Sequence, residues 1–92
     1  MKYTIRYSGQ FKRSYKLCKK RGYDMSKLEA VIRLLAENGS LPPQYKPHIL
    51  SGRGLAGYWE CHIEPNWLLV WDQNDRELVL LLLDTGTHSD IF

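Results

Sequence analysis

The last third of the chain carries three short segments with the residue types of β-strands, joined by only a few residues each. The segments cover residues 58–64, 67–71 and 77–83. Turn-forming residues occupy both connections, Pro65-Asn66 and Gln73-Asn74-Asp75, and connections this short join antiparallel neighbours. The sequence therefore predicts an antiparallel meander in this part of the chain.

The first part of the chain predicts one further strand and two helices. Residues 2–7 alternate polar with apolar side chains, which is typical of a strand. A helix with apolar positions every three or four residues follows, and we expect it to stop at Gly22. We expect a second helix to begin with a capping box of Ser26 and Glu29 and to end at Gly39. The predicted fold class is α+β in the order βααβββ, an antiparallel sheet with a helical hairpin packed on one face.

Side-chain alternation predicts which strand faces are buried. In the first strand of the meander one face carries Trp59, Cys61 and Ile63, and the other carries Tyr58, Glu60, His62 and Glu64. We expect the first face to lie under the helices and the second to stay polar and uncovered. The last strand is apolar on both faces through residues 80–83, so we expect it to be central or covered on both sides.

Length and composition indicate one small folded domain over residues 1–92. Of these 92 residues, 43% are hydrophobic and 25% are charged, which excludes disordered and collagen-like chains. Two cysteines, Cys18 and Cys61, are too few for a disulfide framework and lack the spacing of a zinc or redox motif. The longest apolar run has six residues, so neither a signal peptide nor a membrane span is expected. These features favour a cytoplasmic location.

Charge is distributed unevenly along the chain. Residues 1–53 hold twelve Lys and Arg against three acidic residues, whereas residues 54–92 hold one against seven. Six of the positive residues lie within residues 12–21, which we call the basic stretch. A solvated helix face and a surface that contacts nucleic-acid phosphates both explain this clustering.

Three histidines are the candidates for proton transfer near neutral pH: His48 in the long loop 41–57, His62 in a strand and His88 near the last residue. No two of them have the helical spacing of a zinc protease, which disfavours a metal site. They are either unrelated surface residues or the proton carriers of metal-free RNA cleavage. In that reaction a base takes the ribose 2′-hydroxyl proton and an acid protonates the leaving 5′-oxygen.

Aromatic side chains add a second set of candidates. Phe92 is either a hydrophobic plug or a ring on which a nucleobase stacks. Trp67 and Trp71 share a strand face, and both leave the same choice between core and stacking open.

Three segments carry a distinctive combination of motifs: YKPHILSG at 45–52, ECHIEPNWLLV at 60–70 and TGTHSDIF at 85–92. Together they resemble the YafQ branch of the RelE/ParE toxins of bacterial type II toxin–antitoxin systems, and the resemblance covers nearly the whole chain. It implies a RelE-like fold and a ribonuclease that cleaves mRNA in the ribosomal A site without metal or cofactor. It also implies a cognate antitoxin, with the toxin alone monomeric and the complex of higher order.

The resemblance also implies which residues form the site. Cleavage would depend on proton transfer by His88 with His48 or His62, and on Trp67 and Phe92 to position or stack the scissile nucleotide. The residues expected to hold ribosomal RNA are basic and lie in the first helix: Lys12, Arg13, Lys16, Lys19 and Lys20.

Two positions depart from the pattern of the best-known member. Asn66 stands where that member has an aspartate, and an amide cannot act as a general base. Asp84 stands where it has an arginine, which reverses the charge beside the expected site. Either Arg53 or Lys46 supplies the positive charge, or Asp84 orients a histidine, or activity is low.

Two other functions are compatible with the sequence. One is inhibition of DNA gyrase by binding, as on the ParE side of the superfamily. The other is RNA binding with weak or no cleavage. The three histidines favour cleavage over gyrase inhibition, because inhibition by binding needs no proton carriers.

Overall fold

The computed structural model describes residues 2–52 and 54–92. Its main elements are β1 (Thr4–Tyr7), α1 (Gly9–Lys20), α2 (Met25–Asn38), β2 (His48–Ile49), β3 (Trp59–Glu64), β4 (Trp67–Asn74), β5 (Val79–Gly86) and α3 (His88–Ile91). The five strands form one sheet in the order β1-β5-β4-β3-β2. Strands β2 to β5 pair antiparallel, but β1 pairs parallel to β5. The prediction of a purely antiparallel sheet is therefore wrong at β1. No hairpin joins β1 to β5, so no turn imposes the antiparallel direction.

The two long helices form the predicted hairpin, with one difference at the start of α2. The carboxylate of Asp24 accepts a hydrogen bond from the Ser26 amide at 3.1 Å and caps the helix. The predicted capping box of Ser26 and Glu29 is wrong, because an aspartate two residues earlier supplies an effective cap. Gly39 ends α2 with a φ of 68°, as predicted.

The hydrophobic core lies between the helices and one face of the sheet. The predicted alternation of β3 is confirmed for Cys61 and Ile63, which both face this core. Strand β5 lies between β1 and β4, which confirms its predicted central position. The buried core residues of the helices and of β3 to β5 are Phe11, Leu28, Val31, Leu35, Cys61, Ile63, Trp67, Leu69, Trp71, Leu80 and Leu82.

The segment predicted as a long loop contains two short elements. A 3-10 helix covers Pro43–Tyr45, and β2 then pairs His48 with Glu60 and Ile49 with Trp59. This pairing adds a fifth strand beside β3. It also brings the loop histidine next to the histidine of β3.

The residues after β5 form the short helix α3, an element that no pattern in the sequence predicted. Its first turn is closed by a capping box in which Thr87 and Asp90 bond to each other's backbone amides. Over the described parts of the chain, no helix has both the length and the apolar character needed to cross a bilayer.

Candidate active site

Three histidines and a phenylalanine form a series of neighbouring rings that runs from β2 across β3 to the C-terminal segment. The ring centroids of His48 and His62 are 6.4 Å apart, and those of His62 and His88 are 5.9 Å apart. The ring of Phe92 follows at 6.1 Å from His88. We call His48, His62 and His88 the histidine row. The fold thus brings together four of the predicted site residues, which come from β2, β3 and the C-terminal segment.

Backbone carbonyls orient two of the three imidazoles. Nδ1 of His48 lies 2.9 Å from the carbonyl oxygen of Lys46, and Nδ1 of His62 lies 3.2 Å from that of Pro65. A carbonyl oxygen only accepts, so each Nδ1 carries the hydrogen and donates it. A neutral His62 therefore presents an unprotonated Nε2, which is the form required of a general base.

The side chain of Glu60 points toward His48. The sequence predicted that this side chain lies on the uncovered polar face of β3. Its Oε1 lies 3.3 Å from His48 Nε2, and the side chain is 5% exposed. That expectation is wrong because β2 pairs alongside this position. Both ring nitrogens of His48 therefore face acceptors, so contacts on two sides set the orientation of the ring. The sequence showed only that Glu60 and His62 lie on the same face of β3. The contact of Glu60 with His48 could not be predicted without the position of β2.

Trp67 is buried in the core, whereas Phe92 is exposed to solvent. Trp67 is 3% exposed, and its Nε1 donates to Oγ1 of Thr85 at 3.0 Å. That hydroxyl donates in turn to the carbonyl of Leu68 at 2.7 Å. Of the two roles left open for Trp67, the structure shows the core role and not a ring available for stacking. Phe92 is 62% exposed and offers a free ring face.

The two positions that depart from the expected pattern have different surroundings. Oδ1 of Asn66 lies 3.5 Å from Nδ1 of His88, so this amide reaches the histidine row. Asp84 accepts hydrogen bonds from the hydroxyl of Ser14 and the amide of Thr85. Among the described residues these bonds join Asp84 to α1 and to the backbone of β5, and none joins it to a histidine.

Lys46 brings a positive charge close to the histidine row, because it lines the same shallow cavity as His62. Arg53, the other candidate, lies outside the described residues. The five basic residues of α1 that we expect to hold RNA are all exposed: Lys12, Arg13, Lys16, Lys19 and Lys20.

Comparison with known proteins identifies the family. A family model described as the bacterial toxin of type II toxin–antitoxin system, YafQ, matches residues 3–92. The chain belongs to the YafQ toxin family. It is 42% identical over 89 residues to the mRNA interferase toxin YafQ of Escherichia coli K12, covering 96% of this chain and 94% of that protein.

Solved structures of related toxins have the same fold. The Escherichia coli DinJ–YafQ toxin–antitoxin complex contains a chain that matches with a TM-score of 0.88 and 40% identity, over 100% of this chain and 99% of that one. A metal-bound toxin from Helicobacter pylori matches with a TM-score of 0.87 and 39% identity, over 98% and 99% of the two chains. The predicted RelE-like α+β fold is confirmed.

The metal-bound relative makes the donor geometry of this YafQ family member relevant. Within residues 2–52 and 54–92, no group of three or more His, Cys, Asp or Glu side chains is arranged to hold a metal ion. His48 and His62 each direct Nδ1 to a backbone carbonyl, and Nε2 of His48 faces Glu60.

Proposed function

We propose that this protein is a ribosome-dependent mRNA endoribonuclease, the mRNA interferase toxin of a type II toxin–antitoxin system. The observation that supports this most directly is the histidine row, which ends on the exposed ring of Phe92. RNA carries its own nucleophile in the ribose 2′-hydroxyl, so the protein needs to supply only proton carriers and charge. The relationship to an mRNA interferase of Escherichia coli supports the substrate class.

Each histidine has a distinct role in this reaction. His62 takes the 2′-hydroxyl proton through its free Nε2, and the 2′-oxygen attacks the adjacent phosphorus. The bond from phosphorus to the 5′-oxygen breaks, and His88 donates a proton to that oxygen. His48, with Glu60 behind it, places positive charge beside the phosphate as negative charge develops there. The step needs neither a metal nor a cofactor.

Aromatic and amide side chains position the nucleotide. The exposed ring of Phe92 stacks on a base next to the scissile bond. Trp67 acts as a positioning residue, because its bond to Thr85 fixes the end of β5 from which the C-terminal segment leaves. Asn66 acts in the same way through its contact with His88.

The exposed basic residues of α1 bind ribosomal RNA in this proposal. Clustered Lys and Arg gain affinity by releasing counterions from phosphates, and this gain depends strongly on salt. Action on translating ribosomes also places the protein in the cytoplasm.

An antitoxin is the second partner that we propose. A groove of about 700 Å³ lies between β1, α1 and α2, with an apolar floor that includes Ile5, Phe11 and Ile32. Lys12 and Lys16 line the same groove, so a partner segment with apolar and acidic side chains fits it. The toxin–antitoxin complex of the Escherichia coli relative supports such a partner. We expect the toxin alone to be a monomer and the complex to be of higher order.

A cell-free translation assay tests the proposal. Wild-type protein or the His88→Ala variant is added to a defined mRNA, and new 5′ ends are mapped by primer extension with a ribosome-free control. We expect cuts that require both ribosomes and His88. Intact mRNA with continued translation would contradict the proposal, and inhibition of purified gyrase would then favour the ParE-like alternative.

A further inference from the structure

The helix that carries His88 has little hydrophobic support of its own. Helix α3 has four residues, His88–Ile91, and none of them is buried. One turn of helix is not stable in isolation, because nucleation costs more than a single turn returns. Other contacts must therefore hold His88 and the following Phe92 in place.

The carboxylate of Asp90 makes several of these contacts. The carboxylate oxygens of Asp90 accept hydrogen bonds from both Nη atoms of Arg21, at 2.7 and 3.1 Å. Arg21 caps the C-terminal end of α1, so this ion pair joins the first long helix to the C-terminal segment. The same carboxylate accepts a hydrogen bond from the amide of Thr87 at 2.8 Å, which closes the first turn of α3.

The chain leaving β5 lies directly against this carboxylate. At Gly86 a Cβ atom would stand 2.7 Å from Oδ2 of Asp90, and the φ of this residue is 151°. Only glycine allows both the conformation and the approach. The direction in which α3 leaves the sheet is therefore set where Gly86, Asp90 and Arg21 meet.

We propose that Arg21 and Asp90 are positioning residues for cleavage, and that their ion pair holds α3 so that His88 and Phe92 stay in line with His62. This inference rests on the proposed function. The pair is charged and partly exposed and is not part of the core, so its loss releases α3 without unfolding the sheet. The paired guanidinium lowers the pKa of Asp90, and the carboxylate raises the pKa of Arg21, so both stay charged at neutral pH.

Arg21 also belongs to the basic stretch, so direct contact with RNA phosphate is the competing explanation. The two explanations predict opposite effects for the substitution of Asp90. Arg21→Gln removes a positive charge and Asp90→Asn removes a negative one, so attraction of RNA would weaken in the first and strengthen in the second. Loss of positioning instead lowers the cleavage rate in both variants.

The first experiment measures single-turnover cleavage on programmed ribosomes over a range of toxin concentrations. We expect the maximal rate constant to fall about tenfold in Arg21→Gln and in Asp90→Asn. The double variant should be no slower than either single one, because both changes break the same pair. Arg21→Lys keeps the charge and should recover part of the rate. Arg76→Gln, an exposed arginine at the β4–β5 turn, is the matched control and should cleave like wild type.

The second measurement follows α3 without using activity. The amides of Ile91 and Phe92 donate to the carbonyls of Thr87 and His88, and their hydrogen exchange reports whether the helix is formed. We expect faster exchange at these two amides in both variants and unchanged exchange in β4.

Three results would overturn the proposal. Faster exchange with unchanged cleavage would remove the positioning role and leave the proposed function standing. Effects of opposite sign in the two variants would assign Arg21 to RNA contact. A wild-type protein that cuts no mRNA would overturn the proposed function and this inference with it, whatever the exchange rates.

Discussion

Nε2 of His48 lies 3.3 Å from Oε1 of Glu60, whose side chain is buried. The two residues are partners in the β2–β3 ladder, so the backbone pairing itself fixes this relationship. The second carboxylate oxygen, Oε2, is buried without a hydrogen-bond partner among the described residues. A buried polar atom without a partner costs stability. Such a carboxylate beside a histidine of the row is typical of a residue selected for function at some cost in stability.

Replacing Glu60 with glutamine keeps the shape of the side chain and removes the charge that faces His48. We expect the cleavage rate to fall by at least about tenfold, because His48 loses the carboxylate that holds its ring in place. The urea midpoint of unfolding should stay the same or rise, since a buried charge has been removed. Single-turnover cleavage and urea titration measure the two effects.

Glu64→Gln is the matched control for this prediction. Glu64 lies on the same strand but is exposed, and its carboxylate pairs with Lys27 at 2.7 Å. A surface pair of this kind contributes little, so rate and midpoint should both remain near wild type. A Glu60→Gln variant that cleaves as fast as this control would show that the carboxylate has no part in the reaction.

Phe92→Ala should weaken cleavage while leaving the fold intact. The ring is 62% exposed, so its removal costs little folding energy. Stacking of a base is worth about 1–3 kcal/mol, which corresponds to a decrease in kcat/KM of about fivefold to 150-fold. Phe92→Trp keeps a stacking surface and should retain most activity. Equal kcat/KM values for the alanine and tryptophan variants would be evidence against stacking.

Trp67→Phe should reduce stability first and cleavage second. The change removes the donor to Oγ1 of Thr85 inside the core, at a cost of about 1–3 kcal/mol in the free energy of unfolding. A double-mutant cycle with Thr85→Val isolates this bond, and the coupling energy should be positive and of similar size. A coupling near zero by urea titration would show that the bond does not support this end of β5.

The contribution of Asp90 to stability should depend on pH in a defined direction. The hydrogen bonds from Arg21 and from the amide of Thr87 hold the pKa of this carboxyl well below its usual range. A lowered pKa in the folded state stabilises the protein fully above the unfolded pKa of about 3.9 and less as pH falls below it. The difference in unfolding free energy between wild type and Asp90→Asn should therefore be constant from about pH 8 to 5 and shrink below about pH 4. A difference that grows on acidification would contradict the ion pair.

Local sequence patterns predicted most of the helices and strands. They could not predict contacts between segments that are distant in the sequence. Periodicity located both long helices and the meander because these depend on neighbours in sequence. Strand β2 has only two residues, too few for any period, and the burial of Glu60 follows from that strand. Arg21 and Asp90 are separated by 69 positions, and no local pattern relates them.

Site residues were predictable as a set, but not their individual roles. Motif resemblance indicated the histidine row, and the fold places its members side by side. The sequence left core and stacking equally open for Trp67, because the same spacing serves both. Only the packing of its ring against Tyr23 and its bond to Thr85 distinguish them.

Identification of the RNA ends formed on the ribosome tests histidine-driven cleavage through the 2′-hydroxyl most directly. The mRNA carries either ribose or a single 2′-deoxyribose at the mapped cleavage position. We expect the upstream fragment to end in a 2′,3′-cyclic phosphate or a 3′-phosphate, the downstream fragment to begin with a 5′-hydroxyl, and the 2′-deoxy substitution to abolish the cut. An upstream 3′-hydroxyl end, or cleavage that persists at the 2′-deoxy position, would contradict the mechanism.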